Sequence, residues 1–131
     1  MSLASTLFDV DALRAAEDGF ELDIHLNWYR SLPLSSVKTL ELTVDGEAVD
    51  RADIAFALNG NEYSLDELQQ RWDELWYVLD PATLRVSRPL VRKGHEADVS
   101  LRLGSRIPYI VTGPDHALEV VSERSAKVVA R

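Results

Sequence analysis

Apolar and polar residues alternate without a fault over FELDIHLNW. Phe20, Leu22, Ile24, Leu26 and Trp28 point to one side, and Glu21, Asp23, His25 and Asn27 to the other, the period of a strand buried on one face. Each large apolar side chain so buried contributes roughly 1.5–3 kcal/mol. A slip of one residue would turn the whole set to solvent, which pins the register.

The same period returns in VKTLELTVDGEAV, where Leu40, Leu42 and Val44 alternate up to Asp45-Gly46. Asp-Gly supplies the positive φ angles of a two-residue hairpin turn, after which Glu47, Ala48 and Val49 return antiparallel. DIAFALNGNEYS repeats the device, with Ile54, Phe56 and Leu58 before an Asn59-Gly60 turn and Tyr63 on the way back. An antiparallel meander follows.

One helix is predicted after Ser64. Ser64 and Glu67 have capping-box spacing, and Leu65, Leu68, Trp72, Leu75 and Trp76 recur at helical spacing. That helix should fade between Tyr77 and Leu79, ahead of Asp80-Pro81, and cover an open end of the sheet with Trp72 and Trp76 as core. Beyond it, ATLRVS reads as a strand with Ala82, Leu84 and Val86 inward, and RPLVRKGHE as a connection turning at Gly94. ADVSLRLGSRIPYIV alternates Ala97, Val99, Leu101 and Leu103 until Gly104 and Pro108 call for a bulge, bend or edge. HALEVVSERSAKVVAR adds a last strand with a frayed end.

About eight short strands, turns between them and one short helix predict a mainly β chain, an antiparallel β-sandwich or flattened barrel. No repeat or linker divides residues 1–131, so one domain is expected. Its 46% hydrophobic residues suffice for a core at this length.

Twenty-two acidic against 14 basic residues leave a formal charge of -8. Phosphate binding draws on clustered Lys and Arg, and no such run exists, so nucleic acid is not an expected partner. The chain has no cysteine, which removes disulfides, thiolate metal sites and cysteine nucleophiles. The N-terminus has no basic segment followed by an apolar core, so it does not read as a secretory signal. Nor does any stretch approach the ~20 apolar residues of a membrane span; a cytoplasmic protein is expected.

Candidate chemistry is sparse. His25 shares the polar face of its strand with Asp23, a pair that needs further ligands before it can hold a metal. His95 and His116 lie in turn-like sequence beside Gly94 and Asp115. No nucleophile elbow, phosphate-cradling loop or metal-ligand spacing is present. The carboxylate pairs Asp66/Glu67 and Asp73/Glu74 are neighbours on the predicted helix and do not face each other. No catalytic and no metal residue is assigned. The surplus is aromatic: alternation turns Tyr29 and Arg30 away from the core after Trp28, and Arg106-Ile107-Pro108-Tyr109 has the same character. Tyr, Trp and Arg dominate interface hot spots, so Tyr29, Arg30, Leu32, Pro33 and Leu34, with Arg106, Ile107, Pro108 and Tyr109, are expected to form a partner surface.

In order and spacing, YRSLPLSSVKTLELTVDGEAV, DIAFALNGNEYSLDEL, WDELWYVLDPATLRV and GHEADVSLRLGSRIPYI resemble the β (small) subunit of bacterial C-glycoside deglycosidases. The resemblance runs from about Tyr29 to Ile110. It implies a non-metal-binding β-sandwich that pairs with a TIM-barrel α subunit, and a complex that cleaves the C–C bond between sugar and aromatic aglycone of 3-oxo-C-glucosides. It further implies that a divalent ion, Mn or Mg, and the acid/base groups belong to the α subunit. The 3-oxo group acidifies the sugar C2–H for removal by a base, so the small subunit is expected to cap or buttress that site. Arg30, Arg106 and Tyr109 are then the candidates for reaching substrate. The alternatives are a stand-alone β-sandwich module that stacks Trp and Tyr on a carbohydrate or aromatic ligand, and an independent enzyme, which the missing constellation disfavours.

Overall fold

Alternation becomes layered structure wherever the chain can pair. The computed structural model describes residues 7–28, 30–114 and 116–131. Its strands are β1 (Leu13–Ala16), β2 (Gly19–Ile24), β3 (Leu32–Pro33), β4 (Val37–Val44), β5 (Glu47–Ala48) and β6 (Ile54–Leu58). They continue as β7 (Asn61–Ser64), β8 (Leu75–Trp76), β9 (Ala82–Val86), β10 (Glu96–Gly113) and β11 (His116–Val129). The ladders are antiparallel, in a five-stranded sheet β1-β2-β9-β6-β7, a four-stranded sheet β11-β10-β4-β5 and the small pair β3-β8. Both large sheets stay open, so the fold is the sandwich and not the flattened barrel.

The core lies where the alternation placed it. Phe20, Leu22 and Ile24 of β2, Phe56 of β6, Leu84 of β9 and Leu40, Leu42, Val99, Leu101 and Leu103 of β4 and β10 are buried in one cluster. Both hairpin turns have the predicted backbone: Asp45 and Gly46 at φ 51° and 81°, Asn59 and Gly60 at φ 53° and 82°. Gly104 sits at a bulge against β4, and a Cβ there would meet the Thr39 side chain at 2.9 Å. Around Pro108 the β10–β11 register also shifts, between Ile107 and Val111.

Four expectations are corrected. The helix after Ser64 closes only a 3-10 turn, Asp66–Gln70. Its capping box does form: Ser64 N donates to Glu67 Oε1 at 3.0 Å, and Glu67 N donates to Ser64 Oγ at 3.3 Å. The ladder ends there because other groups take the helical partners. Leu34 N donates to Glu74 O at 2.9 Å, Ser35 N to Arg71 O at 3.2 Å, and Val78 N to Ser31 Oγ at 3.0 Å. Trp76 then pairs with Leu32 in β8 and is fully buried, whereas Trp72, expected in the core, is 76% exposed.

β2 leaves its ladder at Ile24 instead of running on to Trp28. Period two no longer applies past that point, so Asn27, expected on the solvent face, is buried, and Trp28 is only half-buried against the core. The C-terminal end is not frayed. Val128 and Ala130 are buried, and Arg131 pairs with β1 through Arg131 N to Leu13 O at 3.1 Å and Ala15 N to Arg131 O at 2.9 Å. β1 and β3 are short strands without an alternating signature, and β8 falls within the span predicted to be helical.

Candidate functional site

Where β2 ends, the buried Asn27 ties the two sheets together. Its Nδ2 donates to Leu103 O at 2.9 Å, Val120 O at 3.0 Å and Ser122 Oγ at 3.3 Å, while its Oδ1 accepts from Ser105 Oγ at 2.7 Å. Buried polar groups are tolerated when fully hydrogen-bonded, and this amide anchors the start of the 27–34 segment on β10 and β11. The next residue uses the anchor: Trp28 Nε1 donates to the Tyr109 hydroxyl, and the Arg30 guanidinium lies 5.9 Å from the Tyr109 ring centre. Tyr109 is 49% exposed. With the indole donating to its oxygen, its own O–H remains to donate to another group.

Two of the three residues expected to reach substrate, Arg30 and Tyr109, are therefore brought together. Arg106 is exposed and stands opposite Glu119 across the β10–β11 ladder. In the expected partner surface, Pro33, Pro108 and the three just named keep surface positions, but Leu32, Leu34 and Ile107 do not: they are 1%, 0% and 0% exposed. Strand alternation turns Leu32 and Ile107 inward beside outward neighbours, and the 3-10 turn Leu34–Ser36 buries Leu34, so their bulk fills this chain's own core. Tyr29 lies outside the described residues. The Trp28–Tyr109 contact had no sequence signal, since 81 residues separate the two.

The polar groups elsewhere are engaged in structure. Asp23 accepts from Arg14 at 2.6 and 3.0 Å and from Thr83 Oγ1 at 2.7 Å. The Arg14 hydrogen bonds hold its carboxyl below the usual carboxylate range, against the opposing effect of burial. His25 Nε2 is 3.9 Å from Asp9, and His95 Nε2 is 2.9 Å from Asp45. Asp45 is held low first by the Asp98 backbone N–H and then by His95. Among the described residues no group of three or more His, Asp or Glu converges, and no helix is long and apolar enough to cross a membrane. The surface depressions are shallow; one of about 260 Å³ lies on the β6–β7 turn, lined by Asn59, Glu62, Thr83 and Arg85 among others.

The fold and this surface define a small antiparallel β-sandwich on which Trp28, Arg30 and Tyr109 meet. The chain belongs to the C-glycoside deglycosidase beta subunit family, whose model matches residues 5–109. It is 45% identical over 101 residues to a 3'-dehydrocarminate deglycosidase beta subunit of a Microbacterium species, covering 76% of this chain and 75% of the relative. It is 35% identical over 117 residues to a C-glycoside deglycosidase beta subunit of Arthrobacter globiformis, 87% of each. Another such beta subunit, from Microbacterium trichothecenolyticum, is 33% identical over 109 residues, 82% of this chain and 81% of that one.

Proposed function

We propose that this chain is the small subunit of a heteromeric C-glycoside deglycosidase, a carbon–carbon lyase acting on 3-oxo-C-glucosides. Its partner is a larger TIM-barrel α subunit, whose active site this chain caps or buttresses. Family membership over residues 5–109 carries the reading. The Arg30–Tyr109 pair on the Trp28 anchor supplies the surface it needs.

The divalent ion, Mn or Mg, is assigned to the larger subunit, where it would favour negative charge on the sugar oxygens. The described donors of this chain do not fit such an ion. This chain's part is to exclude water and to hold charge in place. Arg30 and Arg106 offer fixed positive charge, and Tyr109 an O–H, toward anionic oxygens that develop when a base takes the C2 proton.

The test compares turnover of a 3-oxo-C-glucoside by the larger subunit alone and with this chain. The proposal expects turnover only, or far more strongly, in the mixture. Full activity of the larger subunit alone would refute the capping role. A chain that never joins the larger subunit in gel filtration would favour the stand-alone binding module.

A further inference from the structure

Leu75, Tyr77 and Leu79 are 42%, 52% and 87% exposed, and Trp72 just before them is 76% exposed. The reason is the strand itself. Trp76 turns inward against Phe56, so residues 75 and 77 must turn outward. Exposed single apolar residues are ordinary, but four within one short segment form a patch of the kind that marks an interaction site.

This patch is joined to the Arg30–Tyr109 site. Leu32 pairs with Trp76, and Val78, between Tyr77 and Leu79, donates its N–H to the hydroxyl of Ser31, the residue next to Arg30. Arg30 in turn lies against the Tyr109 ring. The segment itself is acidic: Glu62, Asp66 and Glu67 pair with Arg85, Arg51 and Arg71, but Asp73, Glu74 and Asp80, interleaved with the four apolar residues, have no ion pair among the described residues. A second copy meeting this face through a two-fold axis would set these carboxylates against one another, which repulsion disfavours. A partner with an apolar centre and a Lys/Arg rim complements it.

We infer that Trp72, Leu75, Tyr77 and Leu79, continuous with Tyr109, are the face on which the larger subunit docks, and that this subunit presents a basic-rimmed apolar surface to it. The inference rests on the subunit reading above. The test measures Kd and association rate for the full chain and the larger subunit of the same source. The wild type is compared with Trp72→Ala/Leu79→Ala and, as a control outside the 72–79 segment, Val121→Ser at an exposed apolar position of β11. Chains are first checked for unchanged thermal unfolding. The double variant is expected to weaken binding at least about thirty-fold, with Val121→Ser within about two-fold. Raising salt from about 0.05 to about 0.5 M should slow wild-type association several-fold.

Unchanged affinity in the double variant, with the wild-type complex intact, would overturn the docking face and leave the subunit reading standing. A wild type that forms no mixed complex would overturn that reading itself. A self-dimer of the wild type that the double variant abolishes would assign the face to a second copy and overturn the inference.

Discussion

Ser105 Oγ donates to Asn27 Oδ1 at 2.7 Å, and both residues are completely buried. One amide thereby holds the segment that follows β2 of the five-stranded sheet against two strands of the other. Asn27→Leu removes the amide and leaves the Leu103 and Val120 carbonyls and the Ser105 and Ser122 hydroxyls without this partner. Each buried group so orphaned costs about 1–3 kcal/mol. We expect Asn27→Leu to destabilise the chain by about 3 kcal/mol and Ser105→Ala by about 1 kcal/mol. Urea unfolding should show a lower midpoint at unchanged slope.

The two tryptophans of the 72–76 segment should behave oppositely. Trp76 is fully buried, stands edge-on to Phe56 at 5.3 Å and donates to Asp80 O at 2.9 Å. Trp76→Ala is expected to cost about 3–5 kcal/mol, and Trp72→Ala less than about 0.5 kcal/mol. Thermal or urea unfolding of the pair checks this; equal losses would mean that Trp72 is core.

Gly19 and Gly104 both face neighbours, of different stiffness. A Cβ at Gly19 would sit 1.8 Å from the Val86 carbonyl oxygen, which is backbone, whereas at Gly104 it would meet the Thr39 side chain. Gly19→Ala should cost at least about 3 kcal/mol and Gly104→Ala about 1–2 kcal/mol. The unfolding midpoints should fall in that order.

Asp23 links stability to acid. Its folded pKa is depressed, chiefly by the Arg14 hydrogen bonds. The stability it adds is therefore complete above the unfolded value near 3.8 and is lost as the pH falls through the folded value. Arg14 and Asp23 are 37% and 30% exposed, so solvent screens the pair and the gap is on the order of 0.5 kcal/mol. Between about pH 5 and pH 2.5 the wild-type midpoint should fall more steeply than that of Asp23→Asn. Parallel curves would show that the pair adds nothing.

Arg30→Ala separates packing from binding. Arg30 is exposed beside Tyr109, so the substitution should shift the unfolding midpoint by less than about 0.5 kcal/mol. Binding of the larger subunit should weaken about ten-fold or more. Wild-type affinity would remove Arg30 from the interface.

Local chemistry was legible along most of the chain. Strict alternation in β2, β4, β6, β9 and β10 and the Asp45-Gly46 and Asn59-Gly60 turns are set by side-chain period and backbone sterics within a few residues. So is the Ser64–Glu67 capping box, which formed although the helix behind it did not. The outcome for residues 71–78 depended on Leu34, Ser35 and Ser31, whose backbone and hydroxyl groups take the hydrogen bonds a helix would have used. Read at period two, Leu75, Trp76 and Tyr77 would have shown the outward face. Period two competed with an equally good helical spacing, and no local rule separates them.

By itself the sequence determined a mainly β, antiparallel sandwich or flattened barrel, because burying alternate side chains leaves little other choice, and the open sheets of the structure decided for the sandwich. Only the tertiary structure decided that Asn27 turns inward, that Leu32, Leu34 and Ile107 belong to the core, and that Arg30 meets Tyr109. Each of those rests on a contact between residues far apart in the chain, and its free energy exists only once the two sheets have closed on each other.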